Sequence, residues 1–136
     1  MFGIFKTNLI YLVLYKNKVK IIDLMSGKFV EKNAIQPFSS ARILWADYQV
    51  GENFVNTILK DFIKNWGAHR MLVHQMEILE GGLTEIEKRA LIDSARHMNA
   101  KEAYLMEGGA ELTVGQALKK LEFFREEEKR TKQKPH

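Results

Sequence analysis

Residues 8–15, Asn-Leu-Ile-Tyr-Leu-Val-Leu-Tyr, form an unbroken apolar run rich in β-formers. A run of this length without polar alternation predicts a strand buried on both faces. Lys16-Asn17-Lys18 reads as a hairpin turn, 19–24 as a second strand and Ser26-Gly27 as a second turn. Lys28 to Val30 starts a third strand, and 42–45 is a further candidate. Pro37-Phe38-Ser39-Ser40 interrupts any strand there. In 52–66 the period changes. Phe54, Val55, Ile58, Leu59, Phe62, Ile63 and Trp66 recur at helical spacing, with Gly67 placed as the C′ stop. Residues 71–79 read as a strand whose His74, Gln75 and Glu77 are unusually polar for a central position.

After Gly81-Gly82, Thr84-Glu85-Ile86-Glu87 has the spacing of a capping box. It predicts a helix over 84–98 with Ile86, Ala90, Leu91, Ala95 and Met98 facing inward. Glu85 and Arg89 are spaced for an i,i+4 ion pair. Residues 101–106 form a short strand. Gly108-Gly109 leads into a last helix over 110–129, with Val114, Ala117, Leu118, Leu121 and Phe124 on one face. Residues 131–136 are expected to be a frayed, basic tail. Hairpin strands followed by alternating helices and strands predict an α/β domain of three layers. Its mixed sheet has antiparallel early strands, parallel late strands and about three helices. No repeat or linker divides residues 1–130, so one domain is expected.

Composition narrows the chemistry. The 136 residues contain no cysteine, which excludes disulfides, thiolate catalysis and Cys-based zinc sites. No apolar run approaches the about 20 residues that a membrane-spanning helix needs. Residues 1–6 lack the features of a signal peptide, and a cytoplasmic location is expected. The net charge of +4 is mild and partly confined to the tail. No basic helix face with interleaved aromatics accompanies it, so nucleic acid is not the expected partner. The four histidines show no ligand spacing, and no metal is expected.

Three segments resemble MreB, the bacterial actin that determines rod shape. Ala34-Ile35-Gln36-Pro37 followed by Trp45-Ala46-Asp47-Tyr48-Gln49-Val50 is similar to the family's AIRP…IADFEV. Residues 82–90, GLTEIEKRA, are close to GITEVEKRA. Residues 100–107, AKEAYLME, are close to GAREVYLIEE. The last two are adjacent and correctly spaced. The resemblance covers most of 8–118 and implies the fold of the first large subdomain of the actin and ribonuclease H-like proteins. It ends short of the family's second half, with its DIGGGT motif and adenosine site, so the chain reads as a truncated member.

The departures are in the nucleotide machinery. Where the family has IDLGTANT, alignment on Asn17 puts Leu12 at the metal-holding Asp, Leu14 at the Gly and Tyr15 at the Thr. Where the family has IEEP, this chain has Met106-Glu107-Gly108-Gly109. Glu107 is the one acid that survives there. It is a remnant candidate for the catalytic acid, read more simply as a polar strand-end residue. Gly108 and Gly109 are weak candidates for anion binding at a helix start, as are Gly81 and Gly82. The resemblance thus implies a non-catalytic relative without cofactor, acting through protein contacts or self-association and linked to cell shape. Two other readings are a small-ligand or nucleotide-binding regulator, and a nucleic-acid or membrane-surface binder using the basic tail.

Candidate interaction residues follow from the same reasoning. Phe123 and Phe124 are adjacent on the last helix, so both cannot enter one narrow core face. Phe2 and Phe5, with Ile4 and Lys6, would suit weak membrane-surface contact. A stand-alone subdomain must also make polar, or cover, the surface the second half would bury. His74, Gln75 and Glu77 are candidates for the first solution and the last helix for the second.

Overall fold

Residues 7–34, 48–63, 67–77 and 81–133 are described by the computed structural model, and the features below refer to these. Five strands form one sheet: β1 (Asn8–Tyr15), β2 (Lys18–Asp23), β3 (Phe29–Asn33), β4 (His69–Gln75) and β5 (Ala100–Glu107). Their order across the sheet is β3-β2-β1-β4-β5. The hairpin strands β1, β2 and β3 pair antiparallel, whereas β4 and β5 run parallel to β1. The α/β class and the mixed sheet therefore stand as expected.

β1 is a continuous apolar run because both its faces are covered. Ile10, Leu12 and Leu14 face α1 (Tyr48–Phe62) and α2 (Glu85–His97). There they meet Val55, Leu59, Ile63, Leu91 and Ala95, along with Met71 and Val73 from β4. Tyr11 and Val13 face α3 (Val114–Gln133), packing with Leu72, Ala117 and Leu121. Two helices cover one face and a single helix covers the other. Within the second layer Arg70 of β4 is buried, and its Nε lies 2.7 Å from Glu102 of β5.

Several boundaries differ from expectation for local physical reasons. α1 begins at Tyr48 rather than residue 52. Gly51 lies inside it, since a lone glycine costs a helix only about 1 kcal/mol. α1 ends at Phe62, so Gly67 is not its immediate stop. The Gly67 carbonyl instead accepts from Asn99 Nδ2 at 2.7 Å. The candidate strand 42–45, Pro37 to Ser40 and Trp66 lie outside the described residues.

The capping box of α2 is present. Thr84 Oγ1 accepts from the Glu87 N–H at 3.1 Å, and Glu87 Oε1 accepts from the Thr84 N–H at 2.8 Å. Asn99 follows α2 in the left-handed conformation at φ 73°, which asparagine tolerates. Ile86 does not face inward and is 81% exposed. It sits five residues before the buried Leu91, about 140° around the helix. The carboxylate of Glu85 is met by Lys88 at 3.4 Å rather than by Arg89.

α3 starts at Val114, four residues later than expected. A second reciprocal cap explains the start: Thr113 Oγ1 accepts from Gln116 N at 3.2 Å, and Gln116 Oε1 accepts from Thr113 N at 2.9 Å. α3 also continues to Gln133, so residues 131–133 are helical rather than frayed. Ion pairs of Glu127 with Arg130 (3.0 Å) and Glu128 with Lys132 (3.3 Å) support its last turns. Among the described residues no helix is long and apolar enough to cross a membrane.

Candidate functional site

The parallel strands β1, β4 and β5 end together, at Tyr15, Gln75 and Glu107. Open α/β sheets usually take ligands at such carboxyl ends. The positions aligned with a phosphate loop are filled by side chains with other partners. Leu12 and Leu14 are buried beneath α1 and α2. The Tyr15 hydroxyl donates to Glu111 Oε1 at 2.5 Å, and Lys20 Nζ donates to Glu111 Oε2 at 2.7 Å. Burial raises the Tyr15 pKa, and the hydrogen bond to Glu111 and its charge raise it further. At Glu111 burial pushes upward, but the hydrogen bonds from Lys20 and Tyr15 and the charges of Lys20 and Lys18 outweigh it. Its carboxyl is held below the ordinary range.

Beneath this edge lies a buried polar relay. The Leu112 N–H donates to Tyr11 Oη at 2.9 Å, and Tyr11 Oη lies 2.6 Å from His74 Nδ1. His74 Nε2 lies 2.6 Å from the Gly108 carbonyl. A carbonyl can only accept, so Nε2 is assigned as the donor to Gly108 O, and the Tyr11 hydroxyl, which accepts from Leu112 N–H, is assigned as the donor to Nδ1. The two rings stack with centroids 5.8 Å apart. Burial raises the Tyr11 pKa against the lowering effect of the Leu112 bond. His74 and Gln75 are thus core residues, not the polar exterior that the sequence suggests. Glu77 alone of that trio is exposed. Helical and strand periodicity carry no signal for such a relay, because its members are far apart in the chain.

Glu107 is engaged structurally. Its Oε1 accepts from the Leu83 N–H at 2.9 Å, and its Oε2 lies 3.7 Å from Lys88 Nζ. It therefore ties the end of β5 to the segment entering α2. A side chain at Gly82 would bring a Cβ within 3.3 Å of Oε1, at a φ of 71° that favours glycine. Gly108 and Gly109 do not open a helix. α3 starts five residues after Gly109, and Gly108 N donates to the Gln75 carbonyl at 2.7 Å. Two donors at the entry to α2 and two at the entry to α3 are taken by their capping boxes.

Phe123 and Phe124 do diverge. Phe124 stacks on Tyr104 at 5.4 Å, whereas Phe123 is 54% exposed. Phe2 and Phe5 lie outside the described residues. His69 and His74 face opposite layers, as their odd separation predicts. Among the described residues no group of three or more metal-ligating side chains is present.

A concavity lies elsewhere. A groove of about 840 Å³ runs along β5 at the sheet edge. Lys88, Arg89, Asp93 and Arg96 of α2 border it, with the Phe124 ring on the α3 side. The exposed Ile86 and the half-buried Ile92 supply its apolar wall. Searches against known proteins add nothing to this picture: no family model matches the chain, and no curated protein matches it at a significant level.

Proposed function

We propose that the chain is a non-catalytic relative of the MreB-type actins that acts through protein–protein contact, in a cell-shape or cytoskeletal setting. One observation carries the reading. Where the resemblance aligns a phosphate loop, Leu12 and Leu14 are buried in the core and Tyr15 is tied to Glu111. An apolar side chain offers a metal no ligand, and a tyrosine ring stands where the backbone would have to approach a phosphate closely.

The engagement of Glu107 supports the same reading. A general base must be free to reach a water beside the substrate. This carboxylate instead accepts a backbone N–H and lies beside Lys88. A cytoplasmic setting, with weak membrane-surface contact through Phe2 and Phe5, belongs to the same proposal.

The experiment is ATP hydrolysis by the purified chain, with light scattering in the presence and absence of ATP–magnesium. The expected result is background hydrolysis and a mass indifferent to ATP. Hydrolysis above background that is lost in Glu107→Gln would overturn the proposal.

A further inference from the structure

We infer that the outward face of α3 is a seam for self-association, where α3 packs antiparallel against α3 of a second copy across a two-fold axis at Phe123. The inference rests on the protein-contact function proposed above and names its partner and surface. α3 turns Ala117 and Leu121 toward the sheet, where both are buried. Phe123 points away from that side and is 54% exposed. It forms one wall of a groove of about 370 Å³, whose other lining residues are Leu112, Gln116, Lys119 and Lys120.

The order of charges about Phe123 selects the occupant. Lys119 and Lys120 stand one turn before it, and Glu126 and Glu127 one turn after. At about 100° per residue, Lys119 and Glu127 lie about 40° to opposite sides of Phe123 around the helix. Lys120 and Glu126 lie about 60° to opposite sides. A two-fold axis through Phe123, perpendicular to the helix, reverses both the direction along the helix and the side. It therefore sets Lys119 against Glu127 of the second copy and Lys120 against Glu126, each pair occurring twice by symmetry. The groove that receives these carboxylates is lined by both lysines and by no acid.

The alternatives fit less well. A parallel arrangement brings like charges together. From residue 116 to 130, Phe123 is the one apolar residue on this face, so an uncharged partner finds a single ring to bury. A partner of one sign gains at one pair of charges and loses at the other. Among the described residues Lys119 and Lys120 take part in no ion pair, and Lys120 Nζ lies 5.6 Å from the centre of the Phe123 ring. Glu126 and Glu127 meet Lys129 at 4.0 Å and Arg130 at 3.0 Å through one oxygen each, which leaves the other oxygen for a second cation.

The test is a charge exchange in the full chain. The unmodified protein should show a dimer by light scattering at rising concentration. Lys119→Glu combined with Lys120→Glu sets glutamate against glutamate at all four contacts. Glu126→Lys combined with Glu127→Lys sets lysine against lysine. Each double variant should raise the dimer dissociation constant about tenfold or more. The chain carrying all four substitutions keeps the net charge and restores every opposite pair, so it should dimerise as the unmodified chain does.

A monomer at all concentrations overturns the seam and leaves the proposed function to its own hydrolysis test. A dimer that ignores the double variants, or that the fourfold exchange does not restore, also overturns the seam. In that case protein contact stands through a different surface. Circular dichroism of each variant establishes that a loss of dimer is not a loss of fold.

Discussion

Tyr11 Oη lies 2.6 Å from His74 Nδ1, in the layer between the sheet and α3. This contact joins β1 to β4, and through Leu112 N and Gly108 O it ties both to the segment between β5 and α3. Tyr11→Phe keeps the ring and removes the hydroxyl. It leaves a backbone donor and an imidazole nitrogen without their partner in a buried site. The expected loss is about 1–3 kcal/mol. It should appear in urea unfolding as a lower midpoint at unchanged slope.

The buried His69 predicts an acid-side loss of stability. Burial lowers its pKa from 6.5 to about 4. Below pH 6.5 the unfolded chain therefore takes up a proton that the folded protein refuses. Stability is full above that pH and falls as pH drops toward 4, by about 3 kcal/mol in all. The depressed carboxyl of Glu111 has a stabilising effect present above its unfolded pKa and lost at lower pH. The interval from pH 6.5 to 5 lies above the range in which Glu111 contributes, and His69 contributes within it. Urea unfolding across that interval should show a slope that flattens in His69→Gln.

Glu107 and the two capping boxes predict stability effects. Thr84→Ala and Thr113→Ala should each cost about 1 kcal/mol. Glu107→Ala should cost about 1 kcal/mol by freeing the Leu83 N–H. Thermal melts of the three variants check this. A Glu107→Ala protein as stable as its parent would remove the structural role assigned to that carboxylate.

Among the described residues α3 is the one helix on its face of the sheet, so its anchor should be sensitive. Leu121 is 1% exposed and packs in the layer that contains Tyr11 and Leu72. Leu121→Ala should cost about 2–5 kcal/mol, the range for a leucine truncated inside a core. Val114→Ala, at the exposed start of the same helix, should cost far less. Chemical denaturation of the pair checks the contrast.

Local information determined the elements. The uninterrupted apolar run of β1 reports burial on both faces, which the sheet order explains. Thr84 and Glu87 announce the start of α2 because a capping box is made within four residues. Thr113 and Gln116 carried the same signal for α3, obscured by the glycine pair before them. Periodicity identified the inward face of α2 but assigned Ile86 to it, because apolar character alone does not tell a core residue from a groove wall.

Tertiary structure decided what the polar residues do. His74 reads as an exterior residue in a strand, yet it is a core residue because Tyr11, 63 positions earlier, supplies its hydrogen bond. Glu107 accepts from the Leu83 N–H, 24 positions away, a partner that no local pattern announces. The groove beside β5 exists only because the strand order leaves that edge uncovered by any described strand. Burial patterns and caps are written by neighbours in sequence. The partners of a buried polar group come from distant segments, and the fold chooses them.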